Sequence, residues 1–207
     1  MRYRRIPDET IKRLPVYLRG AIRLAEESVR RASSKELAEA VGVNPWQIRK
    51  DFSYFGGFGT PGVGYDIDKL IRQIRRILRL DVTRRAALVG VGNLGAALLA
   101  FPRFALYGLE IAAAFDIDNR KIGTRRGGVV IEDVAGLQTI KQRGIDLGII
   151  TVPGGAAQEV ADKLVGVGIR GILNFSSRYI TVPRTVKVIT IDIAMDLARL
   201  SYYLPSG

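Results

Sequence analysis

The sequence is 207 residues long and 47% hydrophobic, with no cysteine and no histidine. A chain of this size fills a core without disulfides, and the missing residue types exclude thiolate catalysis, cysteine-ligated metal and imidazole acid–base chemistry; no metal site is expected. The net charge of +12 is unevenly spread: residues 1–80 hold 17 Lys+Arg against 9 Asp+Glu, and residues 81–207 hold 15 against 11. The smaller part is therefore drawn to polyanions, and to nucleic acid ahead of a membrane, because no segment pairs its basic face with a broad apolar one.

No stretch approaches the ~18–20 consecutive apolar residues of a membrane span, and the opening MRYRRIPDETIKRLP lacks the apolar core of a signal peptide. A cytoplasmic location is expected. Residues 1–80 are helical in pattern apart from one glycine-rich break. In SSKELAEAVGVNPWQIRKDFSYFGG, residues 33–57, Ser33 and Glu36 have capping-box spacing, and Leu37, Ala38 and Val41 give an apolar face that Gly42 ends. Asn44 is a good N-cap and Pro45 suits a first helical position, so a second helix starts about three residues after the first stops, as in a helix-turn-helix.

In that second helix Ile48, Phe52 and Phe55 fall on one face, which turns Gln47, Arg49, Lys50 and Ser53 elsewhere. Such donors suit base edges in a major groove, and a recognition helix is the reading preferred over an ordinary helical hairpin with a solvated basic face. Trp46 is read as packing rather than as a sugar or thymine contact. GGFGTPGVGY, residues 56–65, is expected to be either a wing with Phe58 and Thr60 near its tip or a mere connector. A helix, IDKLIRQIRRILRL, then leads to a linker at residues 80–85.

Beyond it, strands are expected at 86–90, 111–115, 146–152, 170–174 and 187–191, with helices at 93–101, 134–143, 155–166 and 192–204. This alternation predicts a parallel sheet with covering helices. ALVGVGNLG carries Gly90, Gly92 and Gly95 at GxGxxG spacing between a strand and a helix, and the next strand ends in Asp116. The glycines permit a tight turn, close approach to a pyrophosphate and helix-on-strand packing, and the acid suits an adenine ribose, which favours NAD(H) over NADP(H). A glycine-tight turn without a ligand is the alternative. Arg120, Lys121, Arg125 and Arg126 lie close enough in sequence to soften the preference for NAD(H). TVPGGAAQE (151–159) and NFSS (174–177) leave strands at their carboxyl ends and are candidates for the nicotinamide side.

An enzyme needs a proton donor or acceptor and a substrate pocket. Lys163, Lys187, Tyr179 and Asp192 remain possible by type, but none has a partner at motif spacing and no substrate domain follows. A binding protein needs only affinity that differs between two conformations. The rivals are a small NAD-dependent oxidoreductase with an accessory helix-turn-helix domain, and a DNA-binding protein whose ligand is coenzyme A or another nucleotide.

Together, RLPVYLR (13–19), IRKDFSYFG (48–56), GVGY (62–65), VGVGNLG (89–95), FDID (115–118), TVP (151–153) and GILNF (171–175) resemble the Rex family of redox-sensing transcriptional repressors. The resemblance implies an α/β chain with an all-α-rich N-terminal winged helix at 1–80, a Rossmann-like NAD(H)-binding parallel-sheet domain at 81–190, and a C-terminal dimerisation helix at 191–207 exchanged between subunits. It also implies a homodimer, not an enzyme, that binds palindromic double-stranded operator DNA and is released when NADH binds, NAD+ competing and favouring the DNA-bound form. Carried over by position, the DNA-binding region is Pro15 to Tyr54, and the cofactor loop is Gly90, Val91, Gly92, Asn93, Leu94 and Gly95, with Asp116 on the ribose. Thr151, Val152 and Pro153 complete the cofactor side. Arg19 and Asp192 match a polar coupling pair, and Phe101 stands where a tyrosine commonly joins them, so the hydroxyl of that relay is missing. Ile193, Leu197, Leu200 and Leu204 give the last helix an apolar stripe that packs on another chain or on its own domain.

Overall fold

The computed structural model describes residues 6–60 and 62–204. Residues 1–5, Pro61 and residues 205–207, which belong to the expected amino-terminal, wing and carboxyl-terminal segments, lie outside the described residues. The chain forms two compact units that divide between Val82 and Thr83.

The first unit runs α1 (Asp8–Glu26), β1 (Arg31–Ala32), α2 (Ser34–Val41), α3 (Pro45–Ser53), β2 (Tyr65–Asp66) and α4 (Ile67–Ile77). Pro15 lies inside α1 without ending it; the helix continues because Leu14, Tyr17, Leu18, Ala21 and Leu24 form a buried stripe across it. α1 packs along α2 and α4. Gly20 makes the approach to α2 possible, since a Cβ there would lie 2.2 Å from Val41 Cγ1. β1 and β2 pair antiparallel and close the glycine-rich segment. Phe58, expected near an exposed wing tip, is instead 5% exposed and stacked on Phe52 at 4.3 Å between ring centroids. Tyr17 and Tyr65 meet the same Phe52 ring edge-on, both at 5.3 Å. The aromatic cluster draws Phe58 inward because burying its ring outweighs displaying it.

The second unit contains β3 (Arg84–Val89), α5 (Asn93–Leu99), β4 (Leu109–Asp116), β5 (Arg125–Arg126), β6 (Val129–Asp133), β7 (Leu147–Ile150), α6 (Ala157–Gly166), β8 (Gly171–Asn174), β9 (Lys187–Thr190) and α7 (Ile193–Leu200). One seven-stranded sheet runs β5-β6-β4-β3-β7-β8-β9, parallel except for β5 against β6. Numbered along the chain, its six parallel strands lie in the order 3-2-1-4-5-6, the doubly wound dinucleotide-binding order, whose direction switches between β3 and β7.

The β5–β6 hairpin was not anticipated. The helix expected at 134–143 is a 3-10 turn at Val134–Thr139, capped by Asp133, whose Oδ1 accepts from the Ala135 amide at 2.7 Å. One tight turn suffices there, because it already carries Leu137 and Ile140 into the core. The last helix is shorter than 192–204 and ends in a 3-10 turn at Ser201–Tyr203.

One face of the sheet is sealed by α6 and the 134–145 segment. On the other, α5 covers β3 and β4, while Leu147, Ile149, Leu173 and Ile189 line an apolar groove of about 210 Å³. None of the described α7 residues is buried, and Ile193, Met195, Leu197 and Leu200 are each more than half exposed. The apolar stripe of α7 is therefore not packed on its own domain.

Candidate functional site

Two regions concentrate the expected functional residues, one in each unit. In the first, the helix-turn-helix signals act as the sequence suggests. Ser33 Oγ accepts from the Glu36 amide at 3.2 Å while the Ser33 amide donates to Glu36 Oε2 at 2.7 Å. Gly42 ends α2 at φ +68°, and Asn44 Oδ1 accepts from the Trp46 amide at 2.8 Å to start α3. Ile48 and Phe52 are buried, and Arg49, Lys50 and Ser53 are exposed.

Those exposed side chains are already oriented. Arg49 donates to Ser34 Oγ at 2.7 Å, Ser53 donates to the Lys50 carbonyl at 2.7 Å, and Lys50 Nζ lies 4.8 Å from the Trp46 ring centroid. Trp46 itself is 57% exposed, so the expectation that it packs inside is corrected; the cap at Asn44 places it on the first turn of α3, outside the aromatic cluster. Thr60 is exposed and bridges Gly64 in a tight return of the chain. Between α3, the start of α2 and that return lies a cleft of about 590 Å³ lined by Arg31, Ser33, Ser34, Arg49, Ser53 and Thr60 among others. Its cations and hydroxyls are the donors a phosphate backbone requires.

Gln47 behaves differently from its neighbours. It is half-buried, and its amide donates to Asp51 Oδ1 at 2.9 Å. Asp51, which sequence reading passed over, is fully buried and accepts from three further side chains, all on α1. Thr10 Oγ1 reaches Oδ1 at 2.9 Å, Tyr17 OH reaches Oδ2 at 2.6 Å, and Arg13 straddles both oxygens at 2.6 and 2.9 Å. Burial pushes the carboxyl upward, but the four donors outweigh it and hold the group at about 2. The same burial pushes the Tyr17 phenol up.

In the second unit the GxGxxG loop leaves β3 at the switch point. Gly90 has φ +100°, and a Cβ on it would lie 2.7 Å from Val152 Cγ1. A Cβ on Gly95 would lie 2.2 Å from the Gly90 carbonyl oxygen. Gly92 is different: a Cβ there would meet no protein atom within 4 Å. Asn93 and Leu94 are exposed beside it and Val91 is buried.

Asp116, 7% exposed, binds this loop directly. Its Oδ2 accepts from the Val91 amide at 2.7 Å and from Lys121 Nζ at 3.0 Å, and its Oδ1 accepts from the Asp118 amide at 2.9 Å. Burial pushes its pKa upward, but these donors outweigh burial, so the carboxyl lies below its ordinary value. Arg120 is engaged elsewhere, donating twice to Asp118 and holding it at about 2. Arg125 donates to the Gly128 carbonyl. Of Arg120, Lys121, Arg125 and Arg126, it is Lys121 that pairs with Asp116. Ile117, directly after Asp116, is 82% exposed, and a lone apolar residue after a strand carries no pattern that singles it out in the sequence.

On the β7 side, the Thr151 hydroxyl donates to the Gly90 carbonyl at 2.7 Å, Val152 backs Gly90, and Pro153 is exposed ahead of the Gly154–Ala156 turn. The NFSS segment is tied into itself: buried Asn174 accepts from the Ser176 amide and hydroxyl and donates to the Arg178 carbonyl. The possible catalytic groups do not converge. Lys163 pairs with Glu159 on the outer face of α6, Tyr179 is 88% exposed, Lys187 is exposed on β9, and Asp192 caps α7 by accepting from the Met195 amide. Of the coupling residues, Arg19 is exposed on α1 of the first unit; in the second, Phe101 is 47% exposed with its ring edge against Phe104.

Comparison with known proteins divides the chain in the same two regions. Residues 5–53 match the family model described as putative DNA-binding protein N-terminus, and residues 81–178 match that of the CoA binding domain. The redox-sensing transcriptional repressor Rex of Streptomyces griseus is 45% identical over 98% of this chain and 80% of its own length. That of Syntrophobacter fumaroxidans is 45% identical over the whole of both chains. Among solved structures, RSP in complex with beta-NAD+ and operator DNA superposes with a TM-score of 0.88 at 37% identity, covering 96% of this chain and 92% of that one. RSP in complex with beta-NADH gives 0.84 at 35% identity, covering 96% and 94%.

Proposed function

The chain belongs to the Rex family of redox-sensing transcriptional repressors, and from that premise we propose that α3 reads operator DNA while the switch-point loop reads the redox state of NAD(H). It is a repressor and not an enzyme. The glycine loop carries the reading. The fold accounts for Gly90 and Gly95, whose Cβ atoms would strike neighbouring protein atoms, but it does not account for Gly92, which faces open space. Close approach of a pyrophosphate does.

The bound dinucleotide supplies a signal, the oxidation state of its ring. Gly90 to Gly95 hold its pyrophosphate, Asp116 its adenine ribose, Ile117 the adenine face, and Thr151, Val152 and Pro153 the nicotinamide end. Arg49, Lys50 and Ser53 reach base edges, and Arg31, Ser34 and Thr60 reach the backbone. Arg19, Phe101 and Asp192 couple the two sites without the usual tyrosine hydroxyl. The exposed stripe of α7 and the apolar groove beside β8 and β9 are complementary in character, which supports a homodimer in which each occupies the other across two copies. Such a dimer presents its recognition helices about 34 Å apart, or at a multiple of a helical turn, on a palindrome. No described helix is long and apolar enough to cross a membrane, and a DNA target supports a cytoplasmic location.

Fluorescence anisotropy of the full chain on a palindromic duplex, with NADH or NAD+ present, tests the proposal. NADH is expected to weaken DNA binding and NAD+ to sustain it. Indifference to both overturns the sensing reading, and calorimetry with NADPH and coenzyme A separates the ligand alternatives.

A further inference from the structure

The Asp51 cluster joins two helices by side chains alone. α1 packs along α2 and α4, and its connection to α3 runs through Thr10, Arg13 and Tyr17 on one side and Asp51 on the other, with the Tyr17 ring also edge-on to Phe52. A buried ion pair of this kind is a weak source of stability compared with apolar packing of the same volume. Its geometry, by contrast, is exacting. Arg13 engages both carboxylate oxygens in a two-pronged arrangement that fixes the carboxylate plane, and two hydroxyls and the Gln47 amide fill the rest of its acceptor capacity, Oδ1 accepting three bonds and Oδ2 two.

Fixing the carboxylate plane fixes the rotation of α3 about its own axis. Asp51 follows Lys50 directly and lies two residues from both Arg49 and Ser53, so any rotation of the helix swings all three exposed side chains. Gln47, four residues earlier on the same face, is held by the same carboxylate and has one fixed orientation. Hydrogen bonds to base edges are directional, and a small rotation of the helix breaks them while leaving contacts to phosphate largely intact.

We propose that Asp51 is a positioning residue for DNA reading: it sets the rotation of α3 against α1 and thereby operator specificity, without touching DNA. The inference rests on α3 being the recognition helix. It also gives α1, which carries Arg19, a rigid grip on that helix.

The test compares the wild-type chain with Asp51→Asn and Tyr17→Phe. Asparagine keeps the shape but turns a donor toward Arg13 and Tyr17; phenylalanine keeps the ring on Phe52 and removes one donor, so it serves if the first variant does not fold. The probe is the palindromic duplex that the wild-type chain enriches from a randomised pool, set against a scrambled duplex of equal length, each titrated across a range of salt. For Asp51→Asn the operator-over-scrambled affinity ratio is expected to fall about tenfold or more, the loss of one well-made base contact. Tyr17→Phe is expected to lower it several-fold, and the salt slope on scrambled DNA is expected to stay at the wild-type value, which general unfolding would not allow. Folded variants that hold the ratio within twofold overturn the proposal alone. A wild-type chain with no preference for any enriched duplex overturns the DNA-reading function and this inference with it.

Discussion

Asp51 and Asp116 are both buried carboxylates held below their ordinary pKa, yet their donors come from opposite sources. Asp51 is saturated by side chains, three of them 34 to 41 residues away in sequence. Asp116 is held by two backbone amides within the cradle region and by one lysine that is 37% exposed. The first arrangement leaves no capacity for a ligand and serves geometry. The second shapes the loop and takes its third donor from a partly exposed lysine, Lys121, which suits the proposed exchange of a protein donor for a ribose hydroxyl.

The largest way to break this contrast is Asp51→Ala. Removing the carboxylate leaves Arg13, Tyr17, Thr10 and Gln47 without their acceptor, and loss of one side of a buried ion pair costs about 3–5 kcal/mol. Trp46 is the single tryptophan and lies on α3, so its fluorescence during urea unfolding reports the first unit. An Asp51→Ala midpoint equal to wild type means that the cluster bears no load.

A pH series sharpens the same point. A group held at about 2 when folded and titrating at 3.8 otherwise binds fewer protons in the native state between those values. Stability of the first unit therefore rises with pH through that window, is fully in place above it, and is lost as pH falls toward 2. The Trp46 acid transition is expected to be shallower in Asp51→Asn than in wild type. Equal steepness assigns the acid sensitivity to other carboxylates.

In the second unit the comparison moves to the glycines. Gly95→Ala forces a Cβ against the Gly90 carbonyl oxygen and is expected to cost about 1–3 kcal/mol of stability, the range for overpacking. Gly92→Ala meets no protein atom, so stability should stay within about 0.5 kcal/mol of wild type. NADH affinity should nonetheless drop about tenfold or more, some 1.4 kcal/mol. Thermal unfolding and calorimetry read the two effects separately, and a Gly92→Ala chain with wild-type affinity removes the pyrophosphate from that position.

What could be seen in the sequence was what is local. Ser33 and Asn44 accept from amides within a few residues of themselves, Gly42 and Pro45 act through their own backbone, and the GxGxxG loop lies between its own strand and helix, so caps, turn and glycine loop were all legible. The Asp51 cluster was not, because its donors come from a helix some 40 residues earlier and no spacing rule connects them. Phe58 looked like a wing tip because its neighbours are glycines; only the rings of Phe52 and Tyr65, gathered from elsewhere, show why it turns inward. β6 reads as a short run after two glycines and becomes a strand by pairing with β4. The segment after it carries helical spacing, but a single 3-10 turn already brings Leu137 and Ile140 into the core.

The smallest expected effect tests whether Lys121 tunes the cradle or merely decorates it. In the proposed cofactor site the charge of Asp116 faces the ribose and disfavours a 2′-phosphate, and Asp116→Ala is expected to reduce the preference for NADH over NADPH. Lys121 partly offsets that charge from 3.0 Å, but it is half-exposed and screened by solvent, so its influence is about 1 kcal/mol or less. Lys121→Ala should therefore raise the NADH-over-NADPH ratio several-fold, opposite in sign to Asp116→Ala. In the double variant the lysine has no carboxylate to offset, and its removal should then leave the ratio where Asp116→Ala alone puts it. If Lys121→Ala lowers the ratio in the presence of Asp116, the lysine acts on the cofactor through some route other than this pair.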